Sequence, residues 1–228
     1  MSIIRTEKLN RIYDGTAVPV HATSDVSLNF DKGEFTALVG PSGCGKTTLL
    51  NLIGGLDTPT SGEVFVEDIK LSSLSGRELI DFRLKNIGFV FQAYNLIPVL
   101  TARENVEFIL HLQGTEKSAR KNRVEELLKK VGLKDKMDQR PSVLSGGEQQ
   151  RVAVARALAS KPKFVLADEP TANLDSAATK NLLDIMLRLN QEDNITFIFS
   201  SHDSRVMKRA RRLVTLDDGK VINDEIVG

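Results

Sequence analysis

An α/β fold with a helical insertion is the fold class this sequence predicts, on three observations. Short apolar runs at residues 35–39, 87–91, 164–167 and 195–199 have the length and composition of strands buried on both faces, as in a mainly parallel sheet. A glycine-rich loop, Gly40-Pro41-Ser42-Gly43-Cys44-Gly45-Lys46-Thr47-Thr48, joins the first of these runs to a helix at 48–53. Between about 93 and 143 helical periodicity replaces the strand pattern, which marks an insertion.

At 228 residues the chain buries a substantial core as one domain, with or without an inserted lobe. Apolar residues at 41% and charged residues at 27% are ordinary for a globular chain, and a formal net charge of +1 exerts no pull toward nucleic acid. No apolar run approaches the about 20 residues of a bilayer crossing, and Met1-Ser2-Ile3-Ile4-Arg5 lacks a signal-peptide layout; the chain is expected to stay in the cytosol. A single cysteine, Cys44, excludes an internal disulfide or a cysteine zinc cluster. Its place in the glycine-rich loop leaves two readings, a small tolerated side chain or a thiol whose oxidation blocks the loop.

Taken in order, residues 3–9 and 24–30 read as strands, the second alternating Val26, Leu28 and Phe30 with polar neighbours. Asp31-Lys32-Gly33-Glu34 turns the chain into the strand that feeds the loop. Tyr13, in a polar stretch ending Asp14-Gly15, is either an ordinary half-buried aromatic or an exposed ring able to stack on a base. Past the loop helix, Gly54-Gly55 and Pro59-Thr60-Ser61-Gly62 break the chain before a short strand at 63–66, and the strand at 87–91 ends directly at Gln92. Thr101 and Glu104 have capping-box spacing for a helix through about Leu112. Val124, Leu127, Leu128 and Val131 make one apolar stripe closed by Gly132, with the basic stretch 117–123 as its solvated face. Ser145 and Glu148 repeat the capping-box spacing and open a helix through Val152, Ala155 and Leu158 that ends before Pro162. Asp175 caps the next helix, which carries Leu182, Met186 and Leu189 on one face, and Asp218-Gly219 turns a closing hairpin.

Gly40 followed by Gly45-Lys46-Thr47 fits the phosphate-binding G-x-x-x-x-G-K-[ST] pattern, in which backbone N–H groups at a helix start curl round phosphate oxygens. Lys46 then sets its ammonium against β- and γ-phosphates, and the Thr47 hydroxyl takes one place on Mg²⁺. Such a loop needs a carboxylate for the metal, and a hydrolase needs a group to orient and deprotonate water. Asp168 and Glu169, at the carboxyl end of the strand at 164–167, supply both, because adjacent side chains point apart: Asp168 to the metal, Glu169 to the water. Gln92 either reaches the metal or water through its amide or is a solvated strand end, and His202 either bonds the γ-phosphate or is structural. The helix start at Ser145, with Gly146 and Gly147, is a second place suited to phosphate.

The ordered set GPSGCGKTT, Gln92, LSGGEQQR at 144–151, FVLADE at 164–169, Asn173-Leu174-Asp175 and His202 resembles the ATP-binding-cassette ATPases over essentially the whole chain. LSGGEQQR distinguishes it, since phosphate loops occur in many nucleotidases. The resemblance implies a P-loop NTPase core of mainly parallel sheet, an N-terminal antiparallel β portion and an inserted α-helical subdomain. In a single ATPase domain of 1–228, the core would take 1–92 and 144–228, and the helical subdomain about 93–143. It further implies that Tyr13 stacks on adenine, that Gly40 through Thr48 hold ATP, and that Thr47, Gln92 and Asp168 hold Mg²⁺. Glu169 would be the catalytic base, with His202, Gln92 and Lys46 taking part in turnover. Ser145, Gly147 and Asp175 would serve ATP across the interface of a head-to-tail homodimer. No catalytic position is degenerate, so both sites are expected to be competent.

Gly54 through Gly62, residues 87–98 and residues 100–106 resemble, more finely, the branch of lipoprotein-release, macrolide-export and cell-division cassette ATPases. That branch implies an integral-membrane permease as partner, docking near Gln92 to Leu100. It places the chain on the cytoplasmic face of the inner membrane, serving lipoprotein release or export of a hydrophobic or antimicrobial compound. The alternative is a soluble cassette ATPase acting on DNA or ribosomes. Its sole support is Lys208-Arg209-Ala210-Arg211-Arg212, which a solvated helix end explains more simply, so no nucleic acid is expected.

Overall fold

The computed structural model describes residues 2–15 and 18–227. An antiparallel sheet is built from β1 (Ser2–Tyr13), β2 (Val20–Val26), β3 (Asn29–Asp31), β5 (Ser61–Val66) and β6 (Ile69–Lys70), in the order β2-β1-β5-β6 with β3 also on β1. The stretch 24–30, which alternates like one strand, is divided between β2 and β3. Thr6 explains the break: its hydroxyl donates to Val26 O at 3.1 Å and accepts from Leu28 N at 2.9 Å, replacing ladder bonds where the chain changes pairing.

The second sheet contains β4 (Phe35–Val39), β7 (Ile87–Val90), β8 (Phe164–Ala167), β9 (Thr196–Ser200), β10 (Arg212–Asp217) and β11 (Lys220–Ile226), in the order β11-β10-β4-β9-β8-β7. It is parallel from β10 to β7, and only β11 runs antiparallel, on β10. The Asp218-Gly219 turn joins these last two, with both residues at positive φ, as a two-residue hairpin of this twist requires. Every residue of β4, β8 and β9 is buried, the pattern of parallel strands covered on both faces.

Helices make the covering layers: α1 (Lys46–Ile53), α2 (Gly76–Asn86), α3 (Ala102–Leu112), α4 (Lys117–Lys130), α5 (Gly146–Ala157), α6 (Ser176–Asp193) and α7 (Ser204–Met207). Alternation along β4 splits the core in two. Phe35, Ala37 and Val39 join the apolar faces of α3 to α6, whereas Leu38 joins α1 and the inner face of the antiparallel sheet. The stripe Val124, Leu127, Leu128 and Val131 is fully buried in the first of these clusters. Capping boxes form at Thr101/Glu104 and Ser145/Glu148, at the spacing the sequence carries. A third, at Ser75/Glu78, starts α2, a helix with no sequence signature of amphipathicity because Phe82 alone is buried along it. Glu116 caps α4 instead of a hydroxyl residue; bonds from the Ser118 hydroxyl and the N–H groups of Ser118 and Ala119 lower its carboxyl to about 2.

Candidate functional site

The central strand β4 delivers the glycine-rich loop to the carboxyl edge of the parallel sheet, where open α/β sheets bind ligands. Gly45, with φ of 101°, is the N-cap of α1, and a Cβ there would stand 2.1 Å from Ala22 O. The helix has no side-chain cap and no acidic residue in its first turn, so its leading N–H groups and dipole are left to an anion. Lys46 is buried, its Nζ donating to Gly40 O and Pro41 O at 2.8 Å each. Cys44 is buried among the apolar side chains behind the loop. That placement supports the small packed side chain over the reactive thiol.

Beneath the loop, four residues from three elements meet. Thr47 Oγ1 donates to Asp168 Oδ1 at 2.9 Å, and Ser200 Oγ, from the end of β9, donates to the same oxygen at 2.7 Å. The Ser200 hydroxyl also accepts from Glu169 N at 2.8 Å, using both its capacities. Ser200 is fully buried. Glu169 has a φ of 44°, a backbone state uncommon outside glycine. Its Oε1 lies 3.0 Å from His202 Nδ1. A cleft of about 670 Å³, within the range of ligand sites, is lined by Ser42, Gly43, Lys46, Thr47 and Thr48 on one side. Gln92, Glu169, His202 and Tyr13 complete its walls.

Tyr13 reaches this cleft because the β1–β2 register shifts between Leu9 and Ile12. Its ring is 37% exposed and is held from outside the cleft. The hydroxyl donates to Asp57 Oδ2 at 2.7 Å, and the Arg11 guanidinium lies 4.4 Å from the ring centre. Burial works to raise the Asp57 carboxyl, but the Tyr13 hydroxyl, the Thr58 N–H and Arg11 outweigh it and hold it below the usual carboxylate range.

Ser145, Gly147 and Asp175 do not line the cleft. Ser145 and Asp175 are exposed N-caps, of α5 and α6, and Gly147 packs α5 so near α6 that a Cβ would meet the Ala178 methyl at 2.9 Å. Glu148 completes the α5 cap, its carboxyl lowered by Lys136 and by the Ser145 N–H.

Three further residues act on the segment after β7, and none of them was given an individual role by the sequence, although Gln150 lies in the 144–151 stretch and Asn105 in 100–106. Gln150, fully buried, donates to Phe91 O at 3.4 Å and to Pro170 O, beyond β8, at 2.7 Å. Arg156 donates to the carbonyls of Tyr94 and Asn95, neighbours at φ of 60° and 50°. Its guanidinium is lowered by burial and has no carboxylate among the described residues. Asn105, 1% exposed, accepts from Ile97 N at 2.8 Å and donates to Ile97 O at 3.1 Å. Beside this segment runs an apolar groove of about 420 Å³, whose walls include Ile97, Phe89 and Phe91, with Ile80 and Leu84 of α2 and Phe108 of α3. Leu96 instead packs against the core. The basic cluster near 210 is a solvated helix end only at its start, where Lys208 is exposed just past α7. Arg209 pairs with Asp184, Arg211 donates to Gly33 O and Asn190 Oδ1, and Arg212 pairs with Glu34 and Asp224.

The ABC transporter family profile matches residues 23–172. The macrolide export ATP-binding/permease protein MacB of Mannheimia succiniciproducens is 44% identical over 224 residues, which are 98% of this chain and 35% of that protein. This chain thus spans about a third of that relative's length. The lipoprotein-releasing system ATP-binding protein LolD of Aquifex aeolicus is 43% identical over 222 residues, 97% of each chain. Among solved structures, an ATP-binding cassette of Methanocaldococcus jannaschii, dimeric in a post-hydrolysis state bound to ADP and Pi, superposes with a TM-score of 0.90 at 41% identity over 99% of both chains.

Proposed function

The chain belongs to the ATP-binding-cassette transporter family, and we infer on that premise that it is the ATP-hydrolysing subunit that drives a separate membrane permease. The observation that carries this reading is the convergence of Thr47, Ser200 and Asp168 below a cleft on whose wall Glu169 meets His202. ATP takes the cleft with its phosphates on the loop N–H groups, and Lys46 exchanges two carbonyls of its own loop for phosphate oxygens. Tyr13 offers its ring to the adenine.

The residues fit Mg²⁺. Thr47 hydroxyl, Asp168 carboxylate and Gln92 amide are oxygen donors suited to a hard cation, and Asp168 Oδ2 has no hydrogen bond among the described residues. When bound, the ion neutralises charge on the phosphate oxygens. Ser200 orients the Asp168 carboxylate by donating to its Oδ1. Glu169 receives the proton of the attacking water; His202, on its Oε1, fixes the rotation of the carboxylate and leaves Oε2 for that water.

Ser145, Gly147 and Asp175 lie outside the cleft of their own chain, which supports a head-to-tail dimer in which each copy presents these residues to the other's ATP. The division into a core of 1–92 with 144–228 and a helical unit of about 93–143 gives the closure a moving part. The apolar groove beside Ile97 is the surface on which the permease docks, with Arg156 and Asn105 fixing the segment between Gln92 and that surface. The chain works at the cytoplasmic face of the membrane, in lipoprotein release or export of a hydrophobic compound, as similarity to LolD and MacB supports. Arg209, Arg211 and Arg212 are engaged within the fold, which disfavours the nucleic-acid alternative.

Phosphate release from MgATP by the purified chain tests this reading. Lys46→Ala should weaken ATP binding by at least about tenfold, the loss of one charge-assisted interaction. Unchanged hydrolysis in Lys46→Ala would remove the phosphate loop from the mechanism.

A further inference from the structure

A second basic depression lies away from the nucleotide cleft and shares no lining residue with it. It occupies about 270 Å³ between the C-terminal end of α4 and the facing sides of α5 and α6. Lys129, Lys130, Arg151 and Arg188 converge there with the Asn181 side chain. Lys130 is paired, with Asp193 at 2.6 Å and Glu126 at 3.5 Å. The two arginines have no carboxylate among the described residues: Arg151 Nη1 donates to Asn181 Oδ1 at 3.1 Å, and Arg188 Nη2 donates to Lys130 O. Arg151 Nε is buried with no hydrogen-bond partner among the described residues. Two guanidiniums and the Lys129 ammonium thus meet at one place with no carboxylate against them among the described residues, leaving positive charge that the fold does not neutralise.

One term opposes an anion here, the negative end of the α4 dipole. It is largely offset, because Val131 N caps Leu127 O at 3.0 Å, Gly132 N caps Lys129 O at 3.0 Å and Arg188 takes Lys130 O. The donors come from three helices, and guanidinium and ammonium groups are those that recognise phosphate oxygens. The volume is just below the range of typical small-molecule sites and is ample for a phosphate group.

We propose that this depression is a binding site for a phosphate group, separate from the phosphate loop. Its occupant bridges α4 of the helical insertion to α5, the helix that begins at Ser145, and to α6, which begins after Asp175. Binding there stiffens the junction between the insertion and the parallel-sheet core. The same chemistry is offered by a soluble phosphate compound or by an anionic lipid headgroup.

Calorimetric titration of inorganic phosphate at fixed ionic strength, against a chloride control, reads the site in a Lys46→Ala background that weakens the phosphate loop. Saturable binding is expected, reduced about tenfold by adding either Arg188→Gln or Lys129→Gln. Lys129 is exposed and forms no ion pair among the described residues, so its variant keeps the test valid where Arg188→Gln, which also uncaps Lys130 O, fails to fold. No binding above the chloride control, or equal affinity in all three proteins, overturns the proposal. Co-sedimentation of the parent with phosphatidylglycerol but not phosphatidylcholine vesicles, lost in Lys129→Gln, identifies a lipid headgroup as the source. Phosphate binding without vesicle retention identifies a soluble one.

Discussion

His202 Nδ1 stands 3.0 Å from Glu169 Oε1, a contact made across the mouth of the cleft between residues that follow two neighbouring parallel strands, β9 and β8. The histidine side chain is 69% exposed and that of the glutamate 15%, so the imidazole grips the carboxylate from the solvent side. His202→Ala should therefore free the carboxylate to rotate and lower turnover by about 10- to 100-fold, with ATP affinity nearly unchanged. Steady-state phosphate release and ATP titration read the two quantities separately. Lost affinity with normal turnover would put His202 on the nucleotide and not on Glu169.

Ser200 ties the acidic pair together and is fully buried. Ser200→Ala removes the donor to Asp168 and leaves the Glu169 N–H without its acceptor. A loss of about 1–3 kcal/mol of stability should follow, together with weaker Mg²⁺-dependent ATP binding. Denaturant midpoints and ATP titrations with and without Mg²⁺ check both parts; a variant as stable as the parent would mean that the N–H finds another partner.

Much of the fold was legible because its signals are local. The apolar runs that become β4, β7, β8 and β9 carry their own burial pattern, and the loop from Gly40 to Thr48 has one backbone solution between a strand and a helix. The missed features depend on partners distant in sequence. Thr6 splits the stretch 24–30 from across the sheet, Ser200 is a lone serine until Asp168 is placed beside it, and α2 buries too little to show a stripe. The arginines near 210 resemble a basic patch until Glu34, Asp184 and Asp224 are brought against them. Leu96 and Ile97, adjacent and both apolar, part company for the same reason: Leu96 packs inward, and Asn105 pins the Ile97 backbone at the groove.

Phe108 is 40% exposed on the groove wall, and Ile97 faces it from the segment that follows Gln92. Phe108→Asp and Ile97→Asp should each abolish co-purification with the cognate permease, because a charge placed in the apolar groove is left without a partner when the groove is covered. ATP binding by the isolated chain should stay within about threefold of the parent, a change below 1 kcal/mol. Retention of the permease by both variants would place docking elsewhere.

The base assigned to Glu169 is the centre of the account, and its amide variant tests it most directly. Glu169→Gln keeps the side-chain shape but cannot take the proton, so turnover should fall at least about 10²-fold while ATP and Mg²⁺ still bind. The ATP-bound homodimer should then accumulate and elute as a dimer in size-exclusion chromatography with MgATP, reverting to monomer when nucleotide is removed. A Glu169→Gln protein that remains monomeric in MgATP while hydrolysing at the parental rate would contradict the account.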